Sequence, residues 1–150
     1  MDRKIKFRGM STDNGEWIYG FYCAHIDPSK VENEFNIHSI YEGIKIRPMV
    51  NVNSETIGQF TGIYDKNEKE IYEGDILNVF NNKMQEYEQG EVVMSGLGCW
   101  SLCIKQYNLN VPIFEFMDNN LSLVHSTNKI EIIGNIHCQA SPNLSSANLT

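Results

Sequence analysis

The stretch Ile57-Gly-Gln-Phe-Thr-Gly-Ile-Tyr-Asp-Lys-Asn-Glu-Lys-Glu-Ile-Tyr-Glu-Gly-Asp-Ile-Leu77 decides the fold of this chain. Its β-branched and aromatic residues predict a strand over residues 56–61, a short extended piece or one helical turn over 70–73, and a new strand from 76 to 80. A polar turn over residues 65–69 separates the first two. Gly74 lies in the tight turn before the last strand. Because glycine takes a positive φ without steric strain, Gly74 is predicted to have a positive φ.

The N-terminal part predicts further strands around this stretch. Residues 4–22 form a predicted β-hairpin, because the turn pair Asn14-Gly15 separates two apolar runs. Two more strands are predicted within residues 35–40 and 41–50, and Pro48 either weakens the second of them or places it at a sheet edge.

The C-terminal part has the pattern of a β-meander. A polar loop is expected over residues 81–89, a strand over 90–94 and another over 99–104, where Leu102 and Ile104 share one face. Extended segments are also predicted over residues 111–116, 121–124 and 130–136. The Ser/Asn-rich residues 141–150 have no apolar periodicity and are expected to be loose.

These patterns predict a mainly β fold made of two small packed β lobes. Seven Phe, seven Tyr and two Trp favour strands, and only three Ala argue against a helical bundle. The predicted organisation is an N-terminal lobe over residues 1–55, a C-terminal lobe over 56–138 and a flexible tail over 139–150. The C-terminal lobe has the short strands of an SH3-like or related barrel.

The charge distribution bears on nucleic-acid binding. The formal net charge is −7, which opposes attraction to phosphate backbones. The one dense basic run contains Arg3, Lys4, Lys6 and Arg8, and its alternation with apolar residues predicts the solvated face of an edge strand. A nucleic-acid patch is the alternative interpretation of this run. Because the net charge opposes binding to phosphate backbones, nucleic acid is not the expected partner.

The cysteines predict reduced thiols. Cys23, Cys99, Cys103 and Cys138 occur without a secretory signal, and no stretch approaches the ~18 apolar residues of a membrane span. A cytoplasmic protein without a membrane partner is the simplest interpretation. Metal binding is not predicted, because no Cys-x₂-Cys spacing occurs, and Cys99 and Cys103 on one strand would lie roughly 13 Å apart.

No residue set predicts catalysis. Cys23 and His25 would share a strand face, but a hydrogen-bonded strand histidine beside a small apolar residue explains them better than a catalytic dyad does, and no Gly-x-Ser-x-Gly elbow occurs. Glu70, Glu73 and Asp75 could act as acid and base or hold a divalent ion. The preferred interpretation is that Asp75, which follows a glycine in a tight turn, caps backbone N–H groups.

No residue set predicts a cofactor site either. The glycine pairs Gly58-x₃-Gly62 and Gly96-x-Gly98 lack the residues that complete a phosphate loop or dinucleotide fingerprint. An aromatic stacking surface for single-stranded nucleic acid is also conceivable, but core packing explains those rings better in an acidic chain. The aromatic residues concerned are Phe7, Trp17, Tyr19, Tyr22, Phe60, Tyr64 and Tyr72.

Three segments resemble the YopX family of bacteriophage and prophage proteins. They are Lys6-Phe-Arg-Gly9 with Trp17-Ile-Tyr-Gly20, then Gln59 through Ile76, and finally Ile130-Glu-Ile-Ile-Gly-Asn-Ile136. The resemblance spans residues 3–137 and implies a mostly β protein encoded by a phage of a low-GC Gram-positive host. It implies no reaction.

The sequence departs from the family pattern at two places. Glu68 stands where a glycine commonly follows Asp-Lys-Asn, so a looser turn is expected. The residues after Ile136 also differ from the acidic, Pro-containing ending of the family.

The expected function is that of a non-enzymatic phage accessory protein in the host cytoplasm. It would act through contacts with a host or phage protein, or with further copies of itself. A nucleic-acid module built on a small barrel is the first alternative, and an enzyme is the second.

Overall fold

The computed structural model describes residues 4–25, 37–41, 49–81, 85–116 and 130–138. Within these ranges the chain forms eleven strands, and the prediction of a mainly β fold is confirmed. The strands are β1 (Phe7–Met10), β2 (Trp17–His25), β3 (Ile37–Tyr41), β4 (Val50–Asn51), β5 (Gly58–Tyr64), β6 (Glu70–Tyr72), β7 (Asp75–Asn81), β8 (Glu86–Met94), β9 (Trp100–Ile104), β10 (Leu109–Pro112) and β11 (Ile130–Asn135). Three short 3-10 helices cover Ser54–Thr56, Lys105–Tyr107 and Ile113–Phe116.

Six strands form the first sheet, in the order β4-β3-β2-β1-β5-β6, with every pairing antiparallel. The predicted hairpin is β1 and β2, and Gly15 in its turn has a φ of +72°. Strand β1 lies between β2 and β5 and is not an edge strand. The predicted solvated face of the basic run is therefore wrong at Arg8, which is buried.

Five strands form the second sheet, in the order β10-β9-β8-β7-β11. The last strand returns to pair with the first strand of the meander. In the described ranges no ladder joins the edge strands β10 and β11, so the expected SH3-like or related barrel is in fact an open sheet. The predicted loop over residues 81–89 is also partly wrong, because β8 begins at Glu86 and pairs with β7 along most of its length.

The chain passes from one sheet to the other at Gly74. Strands β5 and β6 belong to the first sheet, whereas the predicted boundary between two lobes preceded them. Residues 111–112 are extended as predicted, but residues 113–116 form a 3-10 helix. The predicted strand over 121–124 and the tail over 139–150 lie outside the described residues.

A shared core joins the two sheets. Ile71 of β6 packs into the core of the second sheet, together with Leu77, Leu102 and other apolar side chains of that sheet. Leu102 and Ile104 are both buried there, as their alternation predicts. The first sheet thus contributes a residue to the core of the second sheet, and the two sheets pack against each other there.

Candidate functional site: the junction between the two sheets

The turn at Gly74 connects the two sheets, and its backbone is hydrogen-bonded to the second of them. Its φ is +81°, so the predicted positive φ is confirmed. Its N–H donates to the Val92 carbonyl at 2.9 Å, and its carbonyl accepts from the Ile136 N–H at 3.0 Å. The turn is therefore hydrogen-bonded to both β8 and the end of β11.

A buried ion pair lies beside this turn. The Arg8 guanidinium is 2.7 Å from an Asp75 oxygen, with side-chain exposures of 8% and 2%. Arg8 also donates to the Glu73 carbonyl at 3.1 Å. Asp75 accepts the Tyr72 N–H at 2.8 Å, so the prediction that it caps a backbone N–H is confirmed. Because a lone buried charge is costly, the pair ties β1 to the start of β7.

Two aromatic rings contact the same guanidinium. The Arg8 Cζ lies 4.7 Å from the ring centre of Trp17 and 4.9 Å from that of Tyr72. Such cation–π contacts suit arginine, whose planar group is weakly hydrated. The Arg8 Nε is buried and has no hydrogen-bond acceptor.

A second polar cluster continues outward from Tyr72. The Glu70 carboxylate accepts from the Lys6 ammonium at 2.5 Å and from the Tyr72 hydroxyl at 2.6 Å. Burial acts to raise the pKa of Glu70, but these two hydrogen bonds outweigh it and the pKa lies below its ordinary value. Burial and the Glu70 carboxylate raise the pKa of Tyr72 well above its ordinary value. At neutral pH Glu70 is therefore charged and Tyr72 is protonated.

Asp65 attaches the polar turn of the first sheet to the edge of the second. Its buried carboxylate accepts the N–H groups of Asn67 at 2.8 Å, Lys69 at 3.0 Å and Ile132 at 3.3 Å. The Lys66 N–H donates to the Ile130 carbonyl at 2.9 Å. The turn thereby satisfies backbone groups of β11 on the side away from β7, which protects an open sheet edge.

Glu68 takes a left-handed conformation within this turn. Its φ is +62°, a region that glycine adopts with less strain. Its N–H donates to the Asp65 carbonyl at 3.0 Å, and the Asp65 N–H donates to the Lys69 carbonyl at 2.8 Å. These bonds and the Asp65 side chain hold the turn closed.

A cleft of about 330 Å³ opens where the two polar clusters meet. The lining residues are Arg8, Tyr19, Lys69, Glu70, Tyr72, Asp75 and Ile132. A larger groove of about 460 Å³ lies on the second sheet, and its lining includes Ile76, Gln89 and Glu91. Of the three carboxylates considered from the sequence, Glu70 and Asp75 line the cleft, and Glu73 contributes its backbone carbonyl to Arg8.

The predicted thiol and metal candidates do not converge. The Cys23 Sγ lies 3.7 Å from the His25 Nδ1, so these residues do share a strand face. Cys99 accepts or donates a hydrogen bond with the Ser95 hydroxyl at 3.3 Å, and this bond lowers the pKa of the Cys99 thiol. All four cysteines are free. Over the described ranges, no three His, Cys, Asp or Glu side chains are grouped to hold a metal ion.

Sequence reasoning missed the Arg8–Asp75 pair and the role of Asp65. The pair joins residues far apart in the chain, and the sequence around Arg8 does not indicate that Asp75 is its partner. Asp65 did carry a local signal, because an aspartate that opens a turn commonly accepts the N–H groups of the residues that follow. The sequence around Asp65 could not predict its additional hydrogen bond from the Ile132 N–H in β11.

The fold and this junction define a mainly β protein whose two open antiparallel sheets are held together by buried polar side chains. The profile of the family described as "YopX protein" matches residues 6–144, and the chain belongs to the YopX family. The three segments that carried the resemblance meet at the junction through Arg8, Asp75 and Asn135, whose amide lies 3.3 Å from an Asp75 oxygen.

Other comparisons add little to this assignment. A crystal structure of a protein from Enterococcus faecalis is 24% identical, covers 91% of this chain and 95% of its own, and superposes with a TM-score of 0.42. No curated protein matches the sequence significantly. Among the described residues, no helix is long and apolar enough to cross a membrane.

Proposed function

We propose that this YopX-family protein is a phage-encoded accessory protein that acts in the host cytoplasm as a non-enzymatic protein-interaction module. The observation that carries the proposal is an exposed apolar segment at the edge of the second sheet. Within residues 107–114, the side chains of Tyr107, Leu109 and Phe114 are 53%, 51% and 62% exposed. We call residues 107–114 the apolar edge. These three side chains lie within eight residues of the chain, and clustered exposed apolar groups are typical of protein contact surfaces.

The chemistry of the junction supports a non-enzymatic role. The two carboxylates that line its cleft have partners within the protein: Glu70 has Lys6 and Tyr72, and Asp75 has Arg8. A general acid or base acts best with a pKa near the working pH, and the pKa values of Glu70 and Tyr72 shift away from neutrality. These groups serve stability more readily than catalysis.

The same pairs weigh against the nucleic-acid alternative. Lys6 and Arg8 provide half of the basic run, and both are neutralised by carboxylates of the same chain. Binding through counterion release needs several free cations, and the net charge of −7 opposes it. A gel-shift titration should find only weak binding of duplex DNA near physiological salt.

The test compares two variants that each remove exposed apolar groups. Leu109→Ser with Phe114→Ser disrupts the apolar edge, whereas Leu97→Ser changes a side chain that is 89% exposed in the turn between β8 and β9. Proteins captured from a host lysate are purified and titrated by calorimetry, and self-association is measured by sedimentation equilibrium.

We expect one defined partner, or a second copy, to bind the wild type and Leu97→Ser about equally. The double variant should bind at least about tenfold more weakly, a difference of about 1.4 kcal/mol. Equal binding by all three proteins would contradict the role of the apolar edge. A reaction catalysed by the purified protein would contradict the non-enzymatic role.

A further inference from the structure

The cleft at the junction has one cationic side chain left over after its internal pairs are formed. Its two lining carboxylates are neutralised, Glu70 by Lys6 and Asp75 by Arg8. Lys69 also lines the cleft, is exposed, and has no ion pair with a described residue. An ammonium group in this setting is suited to bind a phosphate or carboxylate as a point charge.

The backbone that carries Lys69 is held in place before any ligand arrives. Its N–H donates to the buried Asp65 carboxylate at 3.0 Å, and its carbonyl accepts the Asp65 N–H at 2.8 Å. A fixed backbone lowers the entropy lost when the side chain is ordered by a ligand.

Aromatic and apolar groups face the same space. The Tyr19 ring is 38% exposed and packs edge-on against Tyr72, with ring centres 5.6 Å apart. The side chain of Ile132 lines the cleft from the second sheet. The Lys6 ammonium lies 5.6 Å from the ring centre of Tyr19, so a planar group would stack on the part of the ring that Lys6 leaves exposed.

We propose that this cleft binds a small organic phosphate that carries a planar ring, of the size of a nucleoside monophosphate. The ring would stack on Tyr19, and the phosphate would pair with Lys69. A volume of about 330 Å³ lies within the range of small-molecule sites in proteins. This binding site is independent of the proposed apolar edge, because the two surfaces share no residues.

The test is a calorimetric titration of the full chain with adenosine monophosphate, alongside adenosine and inorganic phosphate. Saturable binding below millimolar concentration is expected for the monophosphate. Each fragment makes only one of the two contacts and should bind at least about tenfold more weakly.

Three variants locate the site. Lys69→Gln and Tyr19→Leu should each weaken monophosphate binding about tenfold, whereas Lys105→Gln, which changes a 77% exposed lysine of the second sheet, should leave it unchanged. Circular dichroism and the urea midpoint check that Tyr19→Leu is folded, and Lys69→Gln removes no packed side chain.

Three results would overturn the proposal. They are a lack of saturable binding at millimolar monophosphate, equal weakening by Lys69→Gln and Lys105→Gln, and tighter binding of a short single-stranded DNA than of the mononucleotide. The last result would assign the cleft to a nucleic-acid strand. None of them bears on the apolar edge, which is tested with different variants.

Discussion

Replacing Arg8 by methionine should lower the free energy of unfolding by about 3–5 kcal/mol, because the buried Asp75 carboxylate would lose its cation. The reasoning rests on the 2.7 Å separation of the charged groups and on side-chain exposures of 8% and 2%. Methionine keeps much of the side-chain volume, so the loss reports on charge more than on a cavity. Since a domain of this kind is stable by about 5–15 kcal/mol, the effect is large but measurable.

A matched control changes an ion pair at the surface. Lys66 and Glu131 are also 2.7 Å apart, but each is 38% exposed. Lys66→Met should therefore destabilise the protein much less than Arg8→Met does, because water screens the exposed charges.

A second substitution separates the buried charge from other effects of changing Arg8. Adding Asp75→Asn to Arg8→Met removes the unpaired charge and keeps an amide oxygen to accept the Tyr72 N–H, which Asp75 binds at 2.8 Å. The double variant should recover about 1–3 kcal/mol relative to Arg8→Met.

Urea unfolding at neutral pH, followed by tryptophan fluorescence, gives the free energies by linear extrapolation. The reasoning is refuted if Arg8→Met costs no more than Lys66→Met. It is equally refuted if the double variant is no more stable than Arg8→Met, because the unpaired charge would then not be the source of the loss.

Four further outcomes are expected. Gly74→Ala should cost about 1 kcal/mol or more in urea unfolding, because φ there is +81°, whereas Gly96→Ala, with open space around it, should cost little; equal costs would contradict this. Glu68→Gly should raise the free energy of unfolding by about 1 kcal/mol or less, because it relieves a φ of +62°. A lower urea midpoint for this variant would count against that strain. Because the pKa of Glu70 is lowered, its contribution to the stability of the fold is present above its ordinary pKa and is lost as the pH falls through the lowered value. Glu70→Gln should therefore be less stable than wild type at neutral pH, and the difference in stability should shrink in acid. A difference that does not depend on pH would refute the ion-pair account. After denaturation without reductant, all four thiols should react with a thiol reagent and metal analysis should find no stoichiometric zinc; one zinc per chain would overturn the free-thiol assignment.

Sequence alone was enough to predict the features that depend on near neighbours. The hairpin at Asn14-Gly15, the positive φ at Gly74 and the capping role of Asp75 each follow from turn chemistry within a few residues. The alternation of Leu102 and Ile104 likewise predicted which face of β9 enters the core.

Only the tertiary structure decided the order of the strands in each sheet and which charged residues are buried and paired. The basic residues of β1 read as a solvated edge, but β2 and β5 enclose that strand and bury Arg8 against Asp75. Strand β8 likewise starts earlier than its polar sequence suggests, because pairing with β7 satisfies its backbone. Local propensity extends over a few residues, whereas burial and ion pairing depend on which distant segments meet, so the junction that defines this protein appears only in the folded chain.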